Sequence, residues 1–85
     1  MTEEQMLRDL AGLLASHVSA GIVEDFMSYL DAGEPVVGFE VLCDALLDEE
    51  EPLTATEGAR IRALGNLMGV TRASFRDIDE LVVDD

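Results

Sequence analysis

Apolar residues recur along this chain at helical spacing, and nowhere do they alternate with a period of two over a useful length. Met6, Leu7, Leu10, Leu13, Leu14, His17 and Val18 follow the i, i+3, i+4, i+7 rule, which predicts a first amphipathic helix from Thr2 to about Ala20. Thr2 and Gln5 have capping-box spacing, and Gly21 is expected to stop the helix. A second helix from about Ile22 to Ala32 would bury Ile22, Phe26, Tyr29 and Leu30, with Gly33 just past its end.

Pro35 suits the first position of a third helix, where its missing N–H leaves no bond unmade. Phe39, Leu42, Cys43 and Leu46 fall on one side of that helix by the 3.6-residue period. Glu40, Asp44, Asp48 and Glu51 fall on another, and Val37, Val41 and Ala45 form a third, small apolar strip. The run Asp48 to Glu51, followed by Pro52, should end the helix, because like charges crowd its negative pole.

Thr54 and Glu57 form a second capping box and open a fourth helix. Ile61, Leu64, Leu67 and Met68 are its expected inner face, Gly69 with Val70 its stop. Arg60 and Arg62 point away from that stripe, towards the acidic run. Gly58 and Gly65 each lower helix propensity by about 1 kcal/mol relative to Ala, so a close helix crossing is expected there. A last segment beginning at Thr71 or Ser74, with Ser74 and Asp77 at capping-box spacing, would bury Phe75, Ile78, Leu81 and Val82. The expected fold is all-α: a compact bundle of four to five short helices, without a sheet, forming one domain over residues 1–85.

Composition narrows the function. Nineteen acidic residues against five arginines and no lysine give a formal net charge of −14, beyond the magnitude of roughly 2–8 that keeps a small domain dispersed. Such a charge repels itself and favours a partner of opposite sign, although a generally acidic proteome would also produce it. Direct nucleic-acid binding is disfavoured, since phosphates are neutralised by clustered lysine and arginine. The single cysteine, Cys43, excludes an internal disulfide. No apolar run approaches the ~18 residues of a membrane span, and the N-terminal MTEEQ is acidic where a signal peptide is basic. A cytoplasmic protein is expected.

Little in the chain looks like catalytic machinery. His17 is the only histidine. Cys43 lies in the expected core stripe beside Glu40 and Asp44, which oppose thiolate formation. The acidic run lacks the glycine and the alternation of a calcium loop, and no His or second Cys stands at metal-ligand spacing. None of the serines at 16, 19, 28 and 74 has the Asp-Ser-Leu context of a phosphopantetheine carrier. No enzyme activity, cofactor or metal is expected.

One set of residues carries a family likeness. Ala32 to Glu34 (AGE), Phe39 to Glu50 (FEVLCDALLDEE), Pro52 to Thr54 (PLT) and the I-x-x-L-G-x-x-M-G of Ile61 to Gly69 resemble, in order and spacing, the MafI-type immunity proteins of bacterial polymorphic toxin systems. The likeness spans about half the chain and includes Glu40, Leu42, Cys43 and Asp44. It departs at Gly38 and Phe39, where those proteins tend to place a small or apolar pair. It implies a non-catalytic antidote that binds and neutralises a cognate toxin domain. An acidic antidote suits a basic, nuclease-like toxin, and charge complementarity accelerates the encounter. The expected contact set is Asp31, Glu34, Glu40, Asp44, Asp48, Glu49, Glu50 and Glu51. The alternatives are a regulatory or assembly module that presents Val37, Val41 and Ala45 to a partner helix or to a second copy of itself as a homodimer, and a mimic of nucleic acid acting by charge alone.

Overall fold

The computed structural model describes residues 2–83. Among them are five α-helices, α1 (Glu3–Leu14), α2 (Ala20–Asp31), α3 (Pro35–Asp48), α4 (Ala55–Met68) and the single-turn α5 (Ala73–Arg76), followed by a 3-10 turn at Ile78–Leu81. There is no strand among the described residues, only an isolated parallel bridge between Leu53 and Val82. No described helix is long and apolar enough to cross a membrane.

The packed elements close into a ring. α4 packs on α1, α1 on α2, and α2 on α3, while α5 and the 3-10 turn bridge α3 back to α4. α3 and α4 are consecutive in the chain yet meet chiefly through this C-terminal segment. It is held at its far end by backbone bonds: the Leu53 N–H donates to the Leu81 carbonyl and the Val83 N–H to the Leu53 carbonyl, each at 2.9 Å. The core inside the ring is built from Leu7, Leu10, Leu14, Phe26, Phe39, Leu42, Leu46, Leu53, Ile61 and Ile78, with Cys43 among them. Phe39 meets Phe75 edge to face at 5.7 Å between ring centroids, an aromatic geometry that favours a fixed orientation.

Local signals set most helix ends. The Thr54 hydroxyl accepts from the Glu57 N–H while the Glu57 carboxylate accepts from the Thr54 N–H, completing the expected capping box. Gly33 and Gly69 adopt left-handed φ of 76° and 72°. Behind them the Glu34 N–H reaches the Tyr29 carbonyl and the Val70 N–H the Gly65 carbonyl, the six-to-one bond of a Schellman stop. α3 ends with the same bond, from the Glu51 N–H to the Leu46 carbonyl. There the left-handed position, φ 51°, is taken by Glu50 rather than glycine.

The first helix differs from expectation. It stops at Leu14, not near Ala20, and Gly21 lies in the first turn of α2 rather than ending α1. The chain turns through residues 15–18 so that Val18 enters the core while His17 reaches Glu57 across the fold. These tertiary contacts outweigh the continued apolar periodicity. The Thr2 cap forms only in part: its hydroxyl accepts from the Gln5 N–H, but the Gln5 side chain bonds Asp9 instead of turning back.

The glycines at 58 and 65 do admit close neighbours, but these are single side chains of the C-terminal segment rather than a crossing helix. A β-carbon at Gly58 would lie 2.5 Å from Val82 Cγ2, and one at Gly65 would lie 2.1 Å from the Phe75 ring. The close helix crossing is instead at Gly38, where a β-carbon would stand 2.6 Å from Tyr29 Cβ, which sets how near α3 approaches α2. With Gly58 and Gly65 lining the buried side of α4, its inward stripe turns away from Leu67, which is 57% exposed instead of inward. α5 begins at Ala73, and neither Thr71 nor Ser74 caps it.

Candidate interaction surface

The eight carboxylates singled out in the sequence are spread over the length of α3 and its two ends, about 20 Å for a helix of this size. Asp31 closes α2 and accepts from Arg8 at 3.0 Å. Glu34 occupies the N-cap position of α3 with no side-chain capping bond and stands exposed. Asp48 ends α3, and Glu49 and Glu50 form the turn behind it, all three exposed. Glu40 and Asp44 lie between, half-buried on the outer side of the helix.

Three of the eight have structural work. Asp44 is gripped by Arg72 in a fork: the guanidinium Nε donates to Oδ1 at 3.0 Å and Oδ2 at 3.1 Å, and a terminal nitrogen donates to Oδ2 at 2.7 Å. That guanidinium, with the Ser74 hydroxyl as a lesser cause, holds the Asp44 carboxyl below the usual aspartate range against the opposing effect of partial burial. Ser74 Oγ is buried with no well-formed hydrogen bond among the described residues, so the Arg72 fork dominates. Glu51 folds back to accept the Ser19 N–H at 2.9 Å, tying the turn behind α3 to the N-cap residue of α2. Asp31 is tied to Arg8. Glu34, Glu40, Asp48, Glu49 and Glu50 have no ion pair or side-chain hydrogen bond to any described residue.

The arginines are mostly committed as well. Arg8 bonds Glu4 and Asp31, and these bonds raise its pKa further. Arg62 pairs with Asp79 at 2.7 Å and lies over the Phe75 ring, 4.7 Å from its centroid. The expected pairing of Arg62 and Arg60 with the acidic run does not occur, because the C-terminal segment packs on α4 and brings Asp79 to Arg62. Arg60 and Arg76 form no ion pair with a described residue.

Sequence reasoning missed the polar junction of greatest burial. Glu57 is 2% exposed. One of its carboxylate oxygens accepts the Thr54 N–H at 2.9 Å, and the other meets His17 Nε2 at 2.5 Å. The capping-box spacing announced the first bond, whereas the second joins residues 40 apart in the chain and left no local trace. The junction ties the α1–α2 turn to the first turn of α4. The imidazole makes no other side-chain hydrogen bond among the described residues, so no nucleophile is aligned with it.

Cys43 is fully buried, and burial, reinforced by Asp44 and Glu40 against the opposing pull of Arg62 and Arg72, pushes its thiol up to about 12. It stays a protonated core side chain at physiological pH. Among the described residues no group of three or more His, Cys, Asp or Glu side chains is placed to hold a metal ion. An open groove of about 400 Å³ runs between α4 and the C-terminal segment, lined by Ala55, Gly58, Ala59, Arg62, Asp79 and Val82. Its two charged groups are bound to each other. A smaller hollow of about 110 Å³ lies among Met6, Arg60, Ala63 and Leu64.

Comparison of the chain with protein-family models, with curated proteins and with solved structures finds no match in any of the three.

Proposed function

We propose that this protein is an immunity protein, a non-catalytic antidote that binds a cognate toxin domain in the cytoplasm through the acidic surface of α3 and the turn behind it. The observation that carries the reading is the division of the charges. The chain has few cations and ties most of them up internally, yet leaves Glu34, Glu40, Asp48, Glu49 and Glu50 unpaired along one helix and its ends. Unpaired carboxylates close together repel one another, and a partner with a basic surface removes that repulsion on binding. Glu50 adds to this, since it holds the left-handed position of the α3 stop that glycine fills at the ends of α2 and α4.

The likeness to the MafI-type pattern supports the same reading, with a qualification drawn from the fold. Leu42 and Cys43 of that pattern are core residues, Gly65 makes room for the Phe75 ring, and Gly69 serves backbone geometry. Glu40 is one of the residues carrying the likeness that lie on the surface without a partner, with Glu34, Asp48, Glu49 and Glu50.

The test is protection. The toxin domain expected from the adjacent upstream reading frame is produced in cells with and without this chain, and the purified pair is titrated calorimetrically. Restored growth together with a complex that weakens as salt rises supports the antidote. Absence of both removes it. The second reading, an assembly module, is favoured by Val36 and Val37, each 42% exposed at the start of α3; a salt-insensitive dimer in solution would select it.

A further inference from the structure

The acidic-surface reading leaves open which side chains make the contact, and the following inference rests on that reading. α3 turns Phe39, Leu42, Cys43 and Leu46 into the core, so the 100° step of the helix places Val37, Glu40, Val41, Asp44 and Asp48 together on the opposite side. Of the two strips seen in the sequence, Val37 and Val41 and, beside them, Glu40, Asp44 and Asp48 share one outward face, whereas Ala45 packs against the core and Glu51 lies beyond the helix on the Ser19 N–H. Val37 is substantially exposed, and Val41 is half-buried without joining the core cluster. A small apolar centre with charged groups beside it is the arrangement by which protein interfaces combine desolvation with selectivity.

The face already holds one cation. Arg72, from the start of the C-terminal segment, lays its guanidinium on Asp44, and the charge of Glu40 also favours its protonated form. Glu40 and Asp48 stand one helical turn to either side of Asp44 and lack such a partner. A second copy of the chain is poorly suited to supply it. Arg8, Arg62 and Arg72 are already paired, which leaves only Arg60 and Arg76 to offer, and each copy would bring a net charge of −14. Nucleic acid and anionic lipid are repelled for the same reason.

We infer that the outward face of α3 is the docking surface for a cationic amphipathic segment of a protein partner, whose apolar row covers Val37 and Val41 while its lysines or arginines engage Glu40 and Asp48. The occupant chemistry is set by the two interleaved rows: a purely basic loop leaves the valines wet, and a purely apolar helix leaves the carboxylates unpaired.

The probe is a fluorescent peptide of about 14 residues, the length of α3, with leucines at helical spacing and lysine elsewhere. A companion peptide keeps every lysine and replaces the leucines by serine. In anisotropy titrations against the full chain, the Leu/Lys peptide should bind ~tenfold more tightly than the Ser/Lys peptide, and Val37→Ser should remove most of that difference. Glu40→Gln with Asp48→Asn should weaken both peptides and flatten their salt dependence. The control, Glu24→Gln with Asp25→Asn on α2, makes the same change in charge and should stay within about twofold. Thermal melts of each variant verify folding.

Equal weakening by the control pair, or indifference to Val37→Ser, would overturn the inference in favour of undirected charge attraction. Self-association abolished by Val37→Ser, without peptide binding, would overturn it in favour of a second copy. The protection assay separates this inference from the wider reading. If the Val37, Glu40 and Asp48 variants still protect fully, the immunity reading stands and the surface is wrong. Peptide binding at α3 without protection leaves the surface and removes the toxin as its partner.

Discussion

Glu50 and Glu57 flank the same short loop, and the fold treats them in opposite ways. Glu57 is withdrawn from water, and its two oxygens are occupied by the Thr54 N–H and the His17 imidazole. Glu50 sits exposed in a backbone conformation that suits glycine better, and its side chain makes no hydrogen bond or ion pair with a described residue. The first is a carboxylate the structure depends on. The second is one the structure tolerates. For a chain this acidic the comparison separates charge that builds the fold from charge available to a partner, and it divides the acidic run itself, since Glu51 belongs with the structural group.

The strongest challenge to this division is Glu57→Ala, which strands the Thr54 N–H and opens a small cavity beside His17. It is expected to destabilise the fold by about 3 kcal/mol, read by chemical denaturation. Glu57→Gln keeps the cap acceptor and should lose roughly half as much. A neutral Glu57→Ala would mean that the junction is ornamental and the division false.

Glu50→Gly should act with the opposite sign. Releasing the left-handed strain of a non-glycine residue should stabilise the chain by about 1 kcal/mol. If the variant also loses affinity for a cationic partner, Glu50 is retained for binding at the expense of stability. Stabilisation with unchanged affinity would remove Glu50 from the contact set.

Asp44 provides a subtler test through pH. Its folded carboxyl is held below the ordinary value of 3.8, mainly by Arg72. Its contribution is therefore fully present above 3.8 and is lost as pH falls further, through the lower folded value. The difference in melting temperature between the native chain and Asp44→Asn isolates the Asp44 term. That gap should be constant from pH 7 to 5 and close as the pH falls below 3.8. A gap independent of pH would show that the fork adds no charge-dependent stability. Because both partners are partly solvent-exposed, the effect should be modest.

The smallest effect is expected from Asp48→Asn with Glu49→Gln, which should change stability by no more than about 0.5 kcal/mol, with a gain from reduced repulsion the more natural direction. A marked loss would place these two with Glu57 and take them out of the candidate surface.

Much of the fold was legible before any coordinates. Thr54 and Glu57, Pro35, Gly33 and Gly69 act within a turn of helix, so their signals are local, and the end of α2, the start of α3 and both ends of α4 follow from them. The core faces of α2 and α3 were equally readable, since a helix that buries one side repeats its apolar residues every three to four positions. The residues of the candidate surface were readable as types, but not which of them were already occupied.

Tertiary structure alone decided the rest. Nothing near His17 in the chain reveals Glu57, and nothing near Asp44 reveals Arg72, 28 residues away; such pairings exist only once helices are arranged in space. The end of α1 at Leu14, the exposure of Leu67 and the use of Gly58 and Gly65 as seats for Val82 and Phe75 have the same origin. Hydrogen bonds across a single turn are fixed by backbone geometry and are written locally. Contacts between elements depend on which faces meet, and here that choice divided the acidic residues among those described into those that hold the fold and those left at its surface.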